Sequence, residues 1–129
     1  MINFQQIVEK SVKGVLMQGC RSLAAGSEDI CAYRGINGSK CAIGHLIDDQ
    51  YYDPSFEGQN LYNMSVQRAV SKSLLGTGDT LPRKLSNLLI YLQSAHDSST
   101  DMADFLPSVE SNLKMYNLSN LEPIEITWY

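Results

Sequence analysis

Over most of its length the chain places apolar residues three and four positions apart, the spacing that stacks side chains on one face of a helix. Phe4, Ile7, Val8, Val12, Val15, Leu16, Cys20 and Leu23 follow it and predict a first helix over residues 3–23. Asn3 with Gln6 makes a capping-box start, Gly14 and Gly19 weaken the second half, and Gly26 supplies a stop. A second helix is predicted over 63–75, capped by Asn63 or Ser65, with Val66, Ala69, Val70 and Leu74 inward and Gly76 closing it. Thr80-Leu81-Pro82 opens a third, since proline is tolerated in a first helical turn. Its stripe of Leu85, Leu88, Leu89, Leu92 and Ala95 ends near His96-Asp97. Ser98-Ser99-Thr100 caps a short helix over 101–106, and Pro107-Ser108 restarts a last one through Leu118.

The helical period fails between residues 27 and 62, and other signals take over. Asn37-Gly38 suits a type I′ turn, whose two central positions both need positive φ, and predicts a small β-hairpin near 31–43. With those residues at the tip, Arg34 faces Cys41, Tyr33 faces Ala42 and Cys31 faces Gly44. Cys31 and Cys41 then leave opposite faces, out of register, which disfavours a disulfide between them. Cys41 through Asp48 reads better as a short helix capped by Ser39 than as a long second strand, with Gly44 allowing a neighbouring helix close approach. Asp48 through Gly58 is an aromatic and acidic loop, more readily pinned to the core than offered as a contact surface. In the tail, Ile124, Ile126 and Trp128 alternate, as in a strand or an extended arm that pairs with the hairpin edge or with a partner.

The expected fold is therefore mainly α (α+β), with four to five helices packed around a small β-hairpin and a C-terminal strand as an option. Residues 1–118 make one helical domain and 119–129 an extended arm. A chain of 129 residues with 43% hydrophobic and 19% charged residues can bury a core in one domain, so wholesale disorder is not expected. The net charge of −4 argues against a broad nucleic-acid-binding face. No apolar run has the length of a membrane span, and the N-terminus lacks the plan of a signal peptide. With three cysteines, the expectation is a reduced cytoplasmic protein whose thiols serve packing.

Candidate chemistry is sparse. Cys31, Cys41 and His45 have one metal-ligand spacing, C-x9-C-x3-H, but a structural zinc site needs a fourth ligand from Cys20, Asp48 or His96. Burial of the cysteines as small apolar groups is the plainer reading, and no cofactor is expected. Cys41, or alternatively Cys31, could act as a nucleophile with His96 as base and Asp97 as its orienting acid, helped by Arg34 or Lys40 lowering the thiol pKa. Against it, a histidine at a helix C-terminus interacts with the helix dipole without any catalytic role. The acids at 48, 49, 53 and 57 lack the pattern of a calcium loop, and Gly76-Thr77-Gly78 is only a helix-to-helix turn.

Cys31, Tyr33, Arg34, Gly35, Gly38, Lys40, Cys41, Ala42, Gly44, Leu46 and Ile47 together spell C-x-Y-R-G-x-x-G-x-K-C-A-x-G-x-L-I. A tyrosine-x-proline-x-x-glutamate-glycine loop follows within Asp49 to Gly58, then L-Q-x-x-H-D at Leu92, Gln93, His96 and Asp97, then a short amphipathic helix ending in Tyr116 and Leu118. On these motifs the chain resembles a family of small uncharacterised proteins encoded in phages and prophages, over roughly residues 5 to 118. His45 stands where that family more often has a small residue or cysteine, which tells against an essential role for it. The resemblance brings no activity with it. It implies a non-enzymatic accessory protein that binds a host protein or complex, in the manner of an inhibitor of a host defence system. Tyr33, Arg34, Tyr51, Tyr52, Phe56 and Trp128 are the candidate anchors, with Glu57 in the loop beside them, because a few aromatic or arginine residues carry most binding energy. On that view Arg34→Ala weakens partner capture and leaves the thermal midpoint nearly unchanged. The rival reading is a thiol-dependent enzyme or small-ligand sensor built from Cys41, His96 and Asp97, and a purely structural or assembly role is the third.

Overall fold

The computed structural model describes residues 3–24, 31–99, 101–121 and 124. Among them lie four α-helices, α1 (Phe4–Gln18), α2 (Met64–Leu75), α3 (Arg83–Ser98) and α4 (Met102–Asn120). Four single 3-10 turns occupy the stretch between α1 and α2. No β-strand or sheet occurs among the described residues, so the expected hairpin packed among helices is not what this chain forms.

Each helix starts and stops for local reasons. The Asn3–Gln6 capping box forms, and Gly19 in the left-handed conformation ends α1 well before Gly26. Asn63 caps α2 by accepting from the Ser65 and Val66 N–H groups, and Gly76 ends it with φ of 74°. Pro82 stands just ahead of α3, at the cap position and not inside the first turn. Asp101 caps α4, which runs through Pro107 without the expected restart. Phe105, Val109, Leu113 and Tyr116 recur at steps of four and three along α4 and bury on α3, keeping the helix continuous across the bond that Pro107 cannot make. The Tyr116 hydroxyl donates to the Lys84 carbonyl and Asn87 donates to Asn120, so the start of α3 meets the end of α4 and the two run antiparallel.

The core sits between this α3–α4 hairpin, α1, and the non-helical segment 31–58. Ile7, Val12, Val15, Ile43, Leu46, Leu85, Leu88, Leu89 and Leu92 are buried there. Ser11, at an inward position of α1, donates to the Ala42 carbonyl and so ties the helix to the segment. Gly14 faces the His45 ring so closely that a Cβ there would stand 2.6 Å from it.

The missing hairpin has a specific cause. Asn37 (φ 57°) and Gly38 (φ 74°) do form the tight turn that the dipeptide predicts, closed by the Ser39 N–H on the Ile36 carbonyl at 3.0 Å. Gly35 N–H still reaches across the turn to the Ser39 carbonyl at 2.8 Å, but the other flanking donors are taken elsewhere. Ile36 N–H goes to Leu23, Ala32 N–H to Ser22, and those of Tyr33 and Arg34 to the Glu57 carboxylate. Opposite them, Lys40 N–H goes to Gln18 and Ile43 N–H to Gln93. One isolated antiparallel bridge, Leu23 to Cys31, is all the β pairing among the described residues. The segment after it forms a single 3-10 turn, Gly44–Leu46, and Ser39 bonds Ser22 and Ile36 and does not cap it. Gly44 does mark a close approach, but its neighbour is the Tyr33 carbonyl, 2.5 Å from where a Cβ would be, and not a helix. Of the tail, Ile124 is buried with its N–H and carbonyl both bonded to the Asn117 side chain, while the alternating residues beyond it, including Trp128, lie outside the described residues.

Candidate functional site

Two polar constellations meet where the 31–58 segment crosses the end of α3. The first is built on Arg34 and Glu57. Arg34 donates to the carbonyls of Tyr33, Gly44 (3.0 Å) and Ile47 (2.8 Å), pairs with Asp49 at 3.0 Å, and lies over the Tyr52 ring at 4.7 Å. Only 18% of its side chain is exposed, whereas Asp49 is mostly in water, so the carbonyl bonds matter more than the ion pair. Glu57 reaches back with both oxygens to the N–H groups of Tyr33 (2.9 Å) and Arg34 (3.0 Å), and accepts from the Tyr52 hydroxyl at 2.6 Å. Burial first, then the Glu57 contact, pushes that hydroxyl up to about 12, which keeps it a donor at neutral pH. Arginine and glutamate here staple three loop segments through backbone groups that have no helix or sheet to satisfy them.

The second constellation is His96, Asp97, Gln93 and Cys31. His96 is fully buried, and its Nε2 accepts from the Ser22 N–H at 3.1 Å. A backbone N–H can only donate, so the ring proton is on Nδ1, where it donates to Asp97 Oδ1 at 3.0 Å. Gln93 donates to the same oxygen at 2.7 Å and accepts from Ile43 N–H, joining α3 to the loop. Burial pushes the Asp97 carboxyl up, but hydrogen bonds from His96, Cys31 and Gln93 outweigh it and hold it below the usual carboxylate range. The L-Q-x-x-H-D motif and the cysteine-glycine motif are thus two halves of one bonded network.

That network answers the candidate chemistry. The histidine and acid that stand together do so with Cys31; Cys31, His96 and Asp97 bring their ligand atoms within 4.8 Å of one another. His45 is spent elsewhere, on Gln18 at 3.1 Å. A metal on His96 Nδ1 would force the proton onto Nε2, against the Ser22 N–H, so the cluster as built does not fit a cation. Burial pushes the Cys41 thiol up to about 12. Burial, followed by the Asp97 contact, does the same to Cys31. Neither is a thiolate at neutral pH, and the His96 lone pair is already used. The thiol that stands with His96 and Asp97 is Cys31, while the Cys41 sulfur accepts from the Gly44 N–H at 3.3 Å.

The proposed binding residues divide by burial. Tyr33 and Phe56 are buried and Arg34 and Glu57 are spent on the loop, while Tyr51 and Tyr52 are half-buried, Lys72 lying over the Tyr51 ring at 5.6 Å. What opens to solvent is a groove of about 710 Å³, its walls including Ile43, Leu61, Tyr62, Ile90, Gln93 and Asp97. Sequence reasoning passed over this groove, and passed over Ser11, Gln18 and Ser22. The available signal was a polar residue at an inward helical position, as Ser11 is between Ile7 and Val15.

No family profile, curated protein or solved structure matches the chain. No helix among the described residues is long and apolar enough to cross a membrane.

Proposed function

We propose that the protein works by binding and not by chemistry, as a small phage-type accessory protein that engages a host macromolecule, with inhibition of a host defence system as its purpose. The observation that carries the reading is the open groove lined by Cys31 and Asp97 beside the buried His96. Cys31 and Cys41 are held as neutral thiols and His96 has no free lone pair, while the open groove beside them is left unfilled by the residues that wall it. Its rim presents Tyr62, 74% exposed, the kind of amphipathic anchor that interfaces favour. The contact surface on this reading is the Gln59–Tyr62 edge with the end of α3, and Tyr51 and Tyr52 flank a smaller recess lined also by Arg68 and Lys72.

The test is affinity capture from host-cell lysate with tagged wild-type protein and tagged Tyr62→Ala, both checked for thermal midpoint. One stoichiometric partner, retained by the wild type and lost by an equally stable Tyr62→Ala, is the expected result. Absence of any stoichiometric partner, together with fast alkylation of Cys31 or Cys41 at neutral pH, would move the protein to thiol chemistry.

A further inference from the structure

Resting on the binding reading, we infer that the groove receives an arginine side chain of the partner, its guanidinium against Asp97 and its methylenes along Ile43, Leu61 and Ile90. The first reason is charge. The Asp97 side chain lines the groove and is 48% exposed, and among the described residues no lysine or arginine pairs with its carboxylate. The nearby Arg21 guanidinium donates to the Asp97 backbone carbonyl at 3.4 Å instead. His96, whose Nε2 accepts from Ser22, is neutral and supplies a hydrogen bond without a counter-charge. A carboxylate held by neutral donors and open to a groove lacks only a cation.

The second reason is shape. Ile43 and Leu61 are buried apolar surface and Ile90 is half-buried, a floor suited to the apolar stem of a long basic side chain whose head stays polar. Arginine fits better than lysine because the walls offer more than one acceptor. Gln59, Asn60, Ser94 and Ser98 line the groove with amide and hydroxyl oxygens, which a planar fork of five N–H donors can share with Asp97. Tyr62 at the rim supplies an aromatic face for the guanidinium plane. A volume of about 710 Å³ accommodates one such side chain and part of its backbone. The chain's net charge of −4 favours encounter with a basic partner.

The experiment titrates the full chain with N-acetyl-arginine N-methylamide and with its citrulline counterpart, which has nearly the same shape and no charge, read by chemical shifts of the Gln93 side-chain amide. The arginine probe is expected to bind roughly ten-fold tighter. Asp97→Asn keeps an acceptor for the His96 ring and removes the charge, and should abolish the preference. Ser94→Phe obstructs the groove from an exposed position outside the hydrogen-bonded network, and should weaken the arginine probe even if Asp97→Asn fails to fold. Equal binding of the two probes, binding of neither, or indifference to Ser94→Phe overturns the arginine inference. If lysate capture by the wild type still yields a stoichiometric partner in that case, the binding reading stands without it; if capture yields nothing, both fall.

Discussion

The α3–α4 hairpin and the 31–58 segment satisfy their backbones in opposite ways. In the helices, beyond the capped first turn and Pro107, the N–H groups find their carbonyls within the same element, so the side chains are free to supply volume, as Leu88, Leu89, Phe105 and Val109 do. In the segment, the backbone is extended or turned, and individual side chains from distant positions complete it: Glu57 for two N–H groups, Arg34 for three carbonyls, Gln93 and Gln18 for one N–H each. The helical hairpin should therefore respond to size and the segment to donor and acceptor chemistry.

The largest expected effect is Arg34→Ala, which takes the donor from the Ile47 carbonyl, leaves that of Gly44 with only the Ile47 N–H, and costs on the order of 4 kcal/mol. This reverses the expectation from sequence that the thermal midpoint would hardly move. Arg34→Lys should recover little, because an ammonium cannot span the same carbonyls. A denaturant midpoint within error of wild type for Arg34→Ala would break the comparison. In α3, Leu89→Ala should cost about 3 kcal/mol and Leu89→Met less than about 1.5, since shape is what matters there. An Arg34→Lys as mild as Leu89→Met would erase the distinction.

Next come two glycines. Gly44→Ala drives a Cβ to 2.5 Å from the Tyr33 carbonyl and should cost roughly 2 kcal/mol, whereas Gly78→Ala meets only the end of Lys72 at 3.4 Å and should stay within about 0.5. Equal midpoints for the two would mean the segment yields where the contacts say it cannot.

The last test is a pH slope. Burial, then the charges of Lys40 and Arg34, lowers the His45 pKa from 6.5 to about 4. Between those values the unfolded chain takes up a proton that the folded one refuses, so this residue makes stability fall as pH drops from about 6.5 to about 4 and adds no further slope below that. His45→Asn should flatten midpoint against pH in that window. Asp49, Asp53 and Asp97, all held below the usual carboxylate range, add their own loss at lower pH in both proteins. An unchanged slope in His45→Asn would show that the ring is not sequestered.

Much of the helical frame was legible because it is local. Asn3 with Gln6, Asn63 with Val66, Gly76 with Lys72, and each step of the Leu85 to Ala95 stripe work through residues about one turn apart. The over-reading of Pro107 as a break is the exception that shows the limit: the apolar face on Phe105, Val109 and Leu113 outweighs one missing bond, and that face exists only once α3 is opposite it. The candidate site was legible as a set of residues and not as an arrangement. Tyr33, Arg34, Glu57, Cys31, His96 and Asp97 all stand in it, yet the residues alone left the thiol beside the histidine open between Cys41 and Cys31, and the neighbour is Cys31.

By itself the sequence determined where helices begin, which faces they bury, and that the chain turns at Asn37-Gly38. Only the tertiary structure decided that the turn would open no sheet. Strand pairing competes with every other acceptor in reach, and here the acceptors come from far along the chain: Glu57 for Arg34 across 23 residues, Gln93 for Ile43 across 50, His96 for Ser22 across 74. Periodicity reports what neighbours three or four residues apart do to each other. It carries no record of which distant side chain will arrive first at a waiting N–H.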